Sequence, residues 1–217
     1  SLAINLATKD AAKIFVNINT EQKPVPQSLV YDLFGEIKDQ TSNIVRATDI
    51  ADRLHEDLDS PYYQCIKKPG SSQGVGKVDL STVVNSVKDY MKPDGILDQY
   101  KLSDFEIQYK IIFNFLSALK SFYIKEGCWL NNRNPFMANA GFVSAMKFLH
   151  EDLISKCVEQ KSFEIKVIVE MLRLDEVGLL LREDIKNMQG KEQRAEIYKY
   201  LKNALLREVP NQDEYKF

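Results

Sequence analysis

The chain has 217 residues, 44% of them hydrophobic, with a formal net charge of −2 and a pI near 5.8. This composition is typical of a globular protein with a sizeable core, and it excludes a chain that is basic throughout, so any DNA contact needs a local basic patch. No apolar run reaches the roughly 18 residues of a membrane span, and no basic-then-apolar leader opens the chain, which predicts a cytoplasmic protein without a membrane partner.

The N-terminal third is predicted to be a short strand followed by helices. Residues 2–6 are strand-like, and Thr8 is expected to cap a helix that ends before two prolines, Pro24 and Pro26, because proline lacks an amide hydrogen. A second helix should begin near Ser28, and a third should cover residues 44–58. Residues 62–66 are strand-like, and the Gly, Ser and Pro content of residues 67–77 predicts a loop.

The remainder is predicted to be almost wholly helical. Apolar periodicity predicts helices over residues 81–91, 139–156, 162–172 and 191–207, and a long helix capped by Ser103 that extends through Phe122. The fold class expected is therefore mainly α, with a few short strands at the N-terminus and near residues 62–78. The three cysteines, Cys65, Cys128 and Cys157, are odd in number and far apart, which favours reduced structural thiols.

A glycine-rich stretch, GSSQGVGK at residues 70–77, raises the question of a phosphate loop. Gly70 and Gly76 are separated by five residues where the motif needs four, and Val78 stands where a hydroxyl must hold magnesium. The spacing therefore favours a linker. The chain itself is predicted to have no catalytic residues.

The pentamer LHEDL occurs twice, at residues 54–58 and 149–153, and contains both histidines of the chain. A metal site could be built from two histidines and two acids if the two segments met: His55, Asp57, His150 and Asp152. Neither segment has a diagnostic ligand spacing, so the favoured interpretation is two solvated helix faces whose leucine pairs point inward, with no metal.

The last long helix, predicted over residues 191–207, carries a basic stripe. Its members are Lys191, Arg194, Tyr198 and Lys202, which share one face at about 100° per residue. Basic stripes with an aromatic residue can follow a phosphate backbone, so these four residues are the candidate DNA contacts. Glu192 and Glu196 dilute the stripe, and an ordinary solvated face is the favoured alternative.

The segment IFVNINTEQKPVP at residues 14–26 places two asparagines around Ile18, which neither a helix nor a strand favours. With the strand before it and SLVYDLF after it, the segment resembles the region that follows the signature motif of DGQHR-domain proteins, which include the DndB-like regulators of DNA phosphorothioation. The residues that carry the resemblance are Phe15, Asn17, Ile18, Asn19, Gln22, Lys23, Pro24, Val25 and Ser28. Weaker similarity continues through RATDIADRLHEDLDSPYYQCI, GKVDLSTVV and WLNNRNPFMANAGFVSAMKFL. The Asp-Gly-Gln-His-Arg pentapeptide itself does not occur in the chain.

The resemblance implies a ParB-like DGQHR domain that ends near residue 40, followed by a helical domain over residues 41–217, and therefore a fragment of a longer protein. It implies DNA binding and transcription regulation in a DNA modification or defence system, with ATP hydrolysis in the intact protein and none in the fragment. Residues on the nucleotide or phosphate side would be Asn17, Asn19, Thr20, Gln22 and Lys23. Expected partners are DNA, other proteins of the modification system and further copies in a homo-oligomer.

Two alternatives stay open. Asn19 could instead serve only as the C-cap of its helix. The whole chain could be a helical protein–protein interaction domain that contacts no nucleic acid, which the acidic pI favours.

Overall fold

The computed structural model describes residues 26–35, 42–70 and 77–205. It confirms the mainly α class, because helices make up most of these residues and the strands are two short ones. The described helices are α1 (Gln27–Gly35), α2 (Asn43–Glu56), α3 (Leu80–Val87), α4 (Ile96–Gln99), α5 (Phe105–Lys125), α6 (Asn139–Phe148), α7 (Ile154–Glu159), α8 (Ile165–Met171), α9 (Leu174–Val177), α10 (Arg182–Ile185) and α11 (Gly190–Ala204). A 3₁₀ turn spans Pro135–Met137, and a π-helical turn spans Leu149–Leu153.

The two strands, β1 (Ile66–Lys67) and β2 (Val78–Asp79), are parallel, with Ile66 opposite Val78. The prediction of a strand over residues 62–66 is wrong except at Ile66. Residues 62–65 form turns instead, in which the amide of Cys65 donates to the carbonyl of Tyr62 at 2.9 Å. The strand and helix predicted before residue 20 lie outside the described residues.

A single hydrophobic core joins the helices, from Tyr31 of α1 to Ala204 of α11. The central helix is α5, whose buried side chains include Phe115, Leu119 and Tyr123, as its apolar period predicts. Helix α1 packs on α2 and α3, α8 packs on α5, and α11 packs along α6. The described part of residues 1–40 thus adjoins the helical body, and the division of the chain at residue 40 stays a prediction. All three cysteines are buried and free.

Most predicted helices are present, with shifted ends. Helix α5 is capped by Asp104, whose carboxylate accepts from the amide of Ile107 at 3.1 Å, and not by Ser103 as the sequence predicted. The Ser103 hydroxyl is occupied elsewhere, because it donates to Asp98. The helix predicted over residues 139–156 runs through α6, the π-helical turn and α7. Helices α4, α9 and α10 were not predicted, because four residues are too short to show a period.

One loop joins α5 to α6 and holds its shape through Asn134, which is buried. Its amide donates to the carbonyl of Trp129 at 2.8 Å and its side-chain oxygen accepts from the amide of Phe136 at 2.9 Å. Helix α6 then packs so closely on the 3₁₀ turn that a Cβ at Gly141 would lie 2.0 Å from the carbonyl oxygen of Pro135. Only glycine fits at that point.

None of the helices that the structure describes is long and apolar enough to cross a bilayer.

Candidate anion-binding cleft

A polar cleft of about 540 Å³ lies between α3 and α6. Its volume is within the range of small-ligand pockets, about 300–1,000 Å³. We call it the α3–α6 cleft, and its lining consists of Gln27, Ser81, Thr82, Asn85, Ser86, Asp89, Tyr90, Val143, Lys147, His150 and Arg194.

The amphipathic pattern of α3 provides the polar wall. Val83, Val84 and Val87 are buried on one face of this helix, so its hydroxyl and amide side chains turn toward the cleft. The Ser86 hydroxyl donates to the carbonyl of Thr82 at 2.7 Å, one turn earlier. The wall is therefore a rigid helix face that carries hydrogen-bonding groups.

Asn85 connects this wall to α1. Its side-chain oxygen accepts from the Tyr31 hydroxyl at 2.9 Å and from the Lys88 ammonium at 2.8 Å, and its amide donates to Gln27 at 3.2 Å. Nearby, the Ser28 hydroxyl oxygen accepts from the backbone amide of Ser81 at 3.3 Å. The sequence segment that carries the family resemblance directly precedes Gln27, and so the chain enters the described structure at the edge of the cleft.

Two cations line the cleft. Arg194 donates its Nε to the carbonyl of Gly190 at 3.2 Å, and its guanidinium has no carboxylate partner in the part of the chain that the structure describes. Lys147 lies 3.7 Å from Glu151 and 4.6 Å from the centre of the Tyr198 ring. The one carboxylate in the lining, Asp89, is paired with Lys92 at 2.5 Å. The charges available to a ligand are therefore positive.

An aromatic pair, Tyr90 and His150, forms part of the cleft lining. The rings of Tyr90 and His150 are stacked with centroids 4.7 Å apart and an interplanar angle of 13°. The Tyr90 hydroxyl donates to the carbonyl of Met146, and burial raises the pKa of Tyr90 well above its ordinary value. His150 belongs to the π-helical turn, a type of turn that often occurs at functional sites.

The structure divides the predicted basic stripe on α11, which we call the α11 stripe, into two halves. Its members are Lys191, Arg194, Tyr198 and Lys202. The Tyr198 hydroxyl lies 2.6 Å from Asp152 and 3.0 Å from Glu151, and Lys202 lies 3.1 Å from Asp152. Burial, followed by these two carboxylates, raises the pKa of Tyr198. In one half, acids of the π-helical turn thus bind Tyr198 and Lys202. In the other half, Arg194 lines the cleft and Lys191 is exposed.

The four residues of the hypothetical metal site have separate partners. His55 Nδ1 accepts from the amide of Ile66 at 3.3 Å, and Asp57 accepts from the Tyr109 hydroxyl at 2.9 Å. Asp152 is held by Tyr198 and Lys202, while His150 stacks on Tyr90. Among the described residues, no group of three or more His, Cys, Asp or Glu side chains is arranged to hold a metal ion.

The leucine pattern of LHEDL is confirmed in the second copy, and in the first copy it is confirmed for Leu54 and wrong for Leu58. Leu149 and Leu153 are buried, but the side chain of Leu58 is 77% exposed, because α2 ends at Glu56 before it can turn Leu58 inward.

The glycine-rich stretch is described only at its ends. Lys77 donates to the side chain of Asn132 at 3.2 Å, and Gly70 has a positive φ of 76°.

Sequence reasoning missed the cleft, although a signal for it existed. The polar positions of α3 share one face, but the partners of that face, Lys147 and Gln27, come from helices far away in the sequence. The candidate phosphate-side residues, Asn17, Asn19, Thr20, Gln22 and Lys23, lie outside the described residues.

Comparison of the chain with known family models, with curated proteins and with solved structures finds no match.

Proposed function

We propose that this chain is the C-terminal, mainly helical part of a DGQHR-type, DndB-like protein with a DNA-binding and regulatory role in DNA modification or defence, and that its α3–α6 cleft binds a phosphate of the DNA backbone. The observation that carries the phosphate site is the pair of cations, Lys147 and Arg194, on a cleft wall of hydroxyl and amide groups. The family assignment is supported by the resemblance of residues 14–28.

A phosphate matches the chemistry of this lining. Lysine and arginine neutralise backbone phosphates, and Ser, Thr and Asn side chains are common hydrogen-bond donors to their oxygens. Ser81, Thr82 and Asn85 supply such groups on one wall, and the cations stand on the other elements. Asp89 does not oppose an anion strongly, since Lys92 neutralises it.

The proposed contact is narrower than the whole α11 stripe. Tyr198 and Lys202 are engaged with Asp152 and Glu151, so a DNA phosphate would have to compete with two carboxylates for them. Arg194 has no such competitor among the described residues, and Lys147 has only a loose contact at 3.7 Å. A local site of this kind is compatible with an acidic chain.

The nucleotide chemistry expected from the resemblance remains a prediction for the intact protein. Asn19 and Lys23 lie eight and four residues before Gln27, which lines the cleft, and this spacing is compatible with a second contact to the same polyanion. Other proteins of a modification system and a homo-oligomer also remain predicted partners.

The test is salt-dependent binding of a fluorescently labelled DNA duplex to the 217-residue chain between about 50 and 200 mM salt. Each phosphate contact contributes a slope of about −0.9 in log affinity against log salt. Because both cations would neutralise the same phosphate, we expect Lys147→Gln with Arg194→Gln to flatten the slope by about 0.9. The charge-matched control, Lys110→Gln with Lys166→Gln, removes two exposed lysines from α5 and α8 and should keep the wild-type slope.

Two results would contradict the proposal. A wild-type slope in the cleft variant would remove the cleft from the DNA surface. Absence of DNA binding by the wild-type chain at the lowest salt would favour the interaction domain without nucleic-acid contact.

A further inference from the structure

A second concavity, of about 400 Å³, lies where the C-terminal end of α5 meets the turn after α2. We call it the Trp129 hollow. Its lining consists of Leu58, Ser60, Pro61, Tyr63, Lys120, Ile124, Gly127, Trp129 and Leu130. It shares no residue with the α3–α6 cleft.

The rim of the hollow is unusually apolar for a protein surface. Leu58 is 77% exposed, Leu130 61%, Ile124 55% and Tyr63 36%. These are four of the eight large hydrophobic side chains that are exposed in the part of the chain that the structure describes. Single exposed apolar residues are ordinary, but a cluster around one concavity is typical of an interaction site.

The hollow is held open by fixed backbone structure. Helix α5 ends in a Schellman motif, in which Gly127 adopts a φ of 62° and the amide of Cys128 donates to the carbonyl of Tyr123 at 2.9 Å. Trp129 is then anchored by its indole N–H, which donates to the carbonyl of Pro61 at 2.8 Å. Its ring contacts Tyr62 edge to face at 5.9 Å. A preformed site loses less conformational entropy when it binds a partner.

One charged residue lines this apolar surface. Lys120 is half-buried, and no carboxylate pairs with it among the described residues. Covering the hollow with a purely apolar partner would bury this ammonium without a counter-ion, which is unfavourable. A partner that adds a carboxylate opposite Lys120 would form a charge-assisted hydrogen bond instead.

The elements that line the hollow favour a helical partner over an extended one. Neither β1 nor β2 contributes to its lining, so it offers no strand edge to which an extended peptide could add. Amphipathic helices bind through apolar side chains at i, i+3 or i+4 and i+7, which insert into such concavities.

We propose that the Trp129 hollow docks an amphipathic helix of a partner protein, with leucine-like side chains seated against Trp129 and a carboxylate paired with Lys120. This site acts independently of DNA binding at the cleft.

Trp129 provides the readout, because it is the only tryptophan in the chain. The probe is a synthetic helical peptide of about 15 residues with leucines at i, i+3, i+4 and i+7, glutamates beside them and no aromatic residues. A second peptide has lysine in place of every glutamate. We expect the acidic peptide to change the emission of Trp129 and to bind about tenfold more tightly than the basic one.

Variants then assign the binding to individual side chains. Leu58→Ser with Leu130→Ser should weaken the acidic peptide about tenfold or more. The matched control, Ile107→Ser with Val177→Ser, changes two exposed apolar residues outside the hollow, at 39% and 44% exposure, and should bind like the wild type. Because all four side chains are exposed, the variants should keep the fold, which far-ultraviolet circular dichroism checks.

Charge reversal at Lys120 tests the carboxylate separately. Lys120→Glu should reverse the preference, so that the basic peptide binds more tightly than the acidic one. Equal affinity of the wild type for both peptides would overturn the proposal, as would unchanged binding in the Leu58 and Leu130 variant. A dimer of the wild-type chain that dissociates in that same variant would also overturn it, because the occupant would then be a second copy.

Discussion

The α3–α6 cleft and the Trp129 hollow are similar in size, about 540 and 400 Å³, but they present opposite chemistry. The cleft combines a helix face of serine, threonine and asparagine with two cations, Lys147 and Arg194. The hollow is instead surrounded by exposed leucine, isoleucine and tyrosine side chains and has one cation, Lys120. Volume therefore does not decide which ligand class each accepts. The arrangement of charge and hydrogen-bonding groups does.

The two regions also differ in how they are built. The cleft depends on packing between α1, α3, α6 and α11, which Asn85 and a hydrogen bond between Ser144 and the carbonyl of Arg194 hold together. The hollow depends on turns around residues 57–63 and 126–134. Disruption of helix packing should therefore affect the cleft most. The contact between α6 and the 3₁₀ turn adjoins both regions, because α6 lines the cleft and the 3₁₀ turn directly follows the turns that shape the hollow.

The largest expected effect is at that contact. Gly141→Ala places a Cβ 2.0 Å from the Pro135 carbonyl oxygen and 2.8 Å from the Cα of Phe136, both backbone atoms that cannot rotate away. We expect the free energy of unfolding to fall by about 3 kcal/mol or more in urea denaturation, with loss of ligand binding at both regions.

Gly190→Ala is the matched control, because nothing lies within 4 Å of its added Cβ. It should leave stability unchanged or raise it by about 0.5 kcal/mol. A Gly141→Ala variant as stable as the wild type would show that the two regions are not joined through this contact.

A smaller effect separates the fully buried hydroxyl of Tyr62 from the half-buried hydroxyl of Tyr198. Tyr62 is fully buried beside Trp129, and its hydroxyl donates to the carbonyl of Phe136 at 2.6 Å. Tyr62→Phe leaves that carbonyl without a partner, and should cost about 1–3 kcal/mol of unfolding free energy.

Tyr198→Phe provides the comparison near the cleft. Its acceptors keep other partners when the hydroxyl is removed, because Glu151 is exposed to water and Asp152 remains paired with Lys202 at 3.1 Å. Stability should therefore change by only about 0.5 kcal/mol. Equal losses in the two variants, measured by urea denaturation, would argue against this distinction.

The smallest effect is a pH dependence at His55, the histidine outside the cleft. Burial, and then the nearby Lys68 cation, lower the pKa of His55, and its neutral Nδ1 accepts from the amide of Ile66. The unfolded chain takes up a proton near pH 6.5 while the folded chain does so at lower pH. The neutral His55 side chain therefore contributes its full stabilisation above about pH 6.5. This stabilisation decreases as the pH drops toward the pKa of His55 in the folded state, and it stays constant at lower pH.

His55→Asn keeps a neutral acceptor but cannot be protonated. Its unfolding free energy should decline less than that of the wild type between about pH 7 and 5. Identical pH profiles for the two proteins would rule out this assignment.

The sequence predicted the parts of the fold that depend on local periodicity. The buried stripes of α5 and α6 follow from apolar residues spaced one helical turn apart, and Phe115, Phe142 and Leu149 are buried as expected. The sequence predicts the cap of α5 one residue early, at Ser103, because serine and aspartate are both good capping residues. Only the structure shows that the Ser103 hydroxyl binds Asp98 and that Asp104 is the cap.

The candidate sites could not be predicted in the same way, because they depend on contacts between distant elements. The α11 stripe forms one face of a single helix, but the structure pairs Tyr198 and Lys202 with acids some 46 to 50 residues away. It leaves Arg194 in the lining of the cleft, together with Lys147. The sequence predicts that Leu58 is a core residue, because it continues the apolar period of α2. The helix ends at Glu56, however, and Leu58 is exposed. Pattern alone does not show where a helix stops or which side chains an adjacent helix neutralises.

A crossed binding experiment tests the central claim, that the cleft and not the hollow is the anion site, most directly. Labelled duplex DNA and the acidic leucine peptide are each titrated into the wild type, the Lys147→Gln and Arg194→Gln variant, and the Leu58→Ser and Leu130→Ser variant. We predict that the cleft variant flattens the DNA salt slope by about 0.9 and binds the peptide normally, while the hollow variant keeps the slope and loses the peptide. A DNA salt slope that is unchanged in the cleft variant would contradict the account.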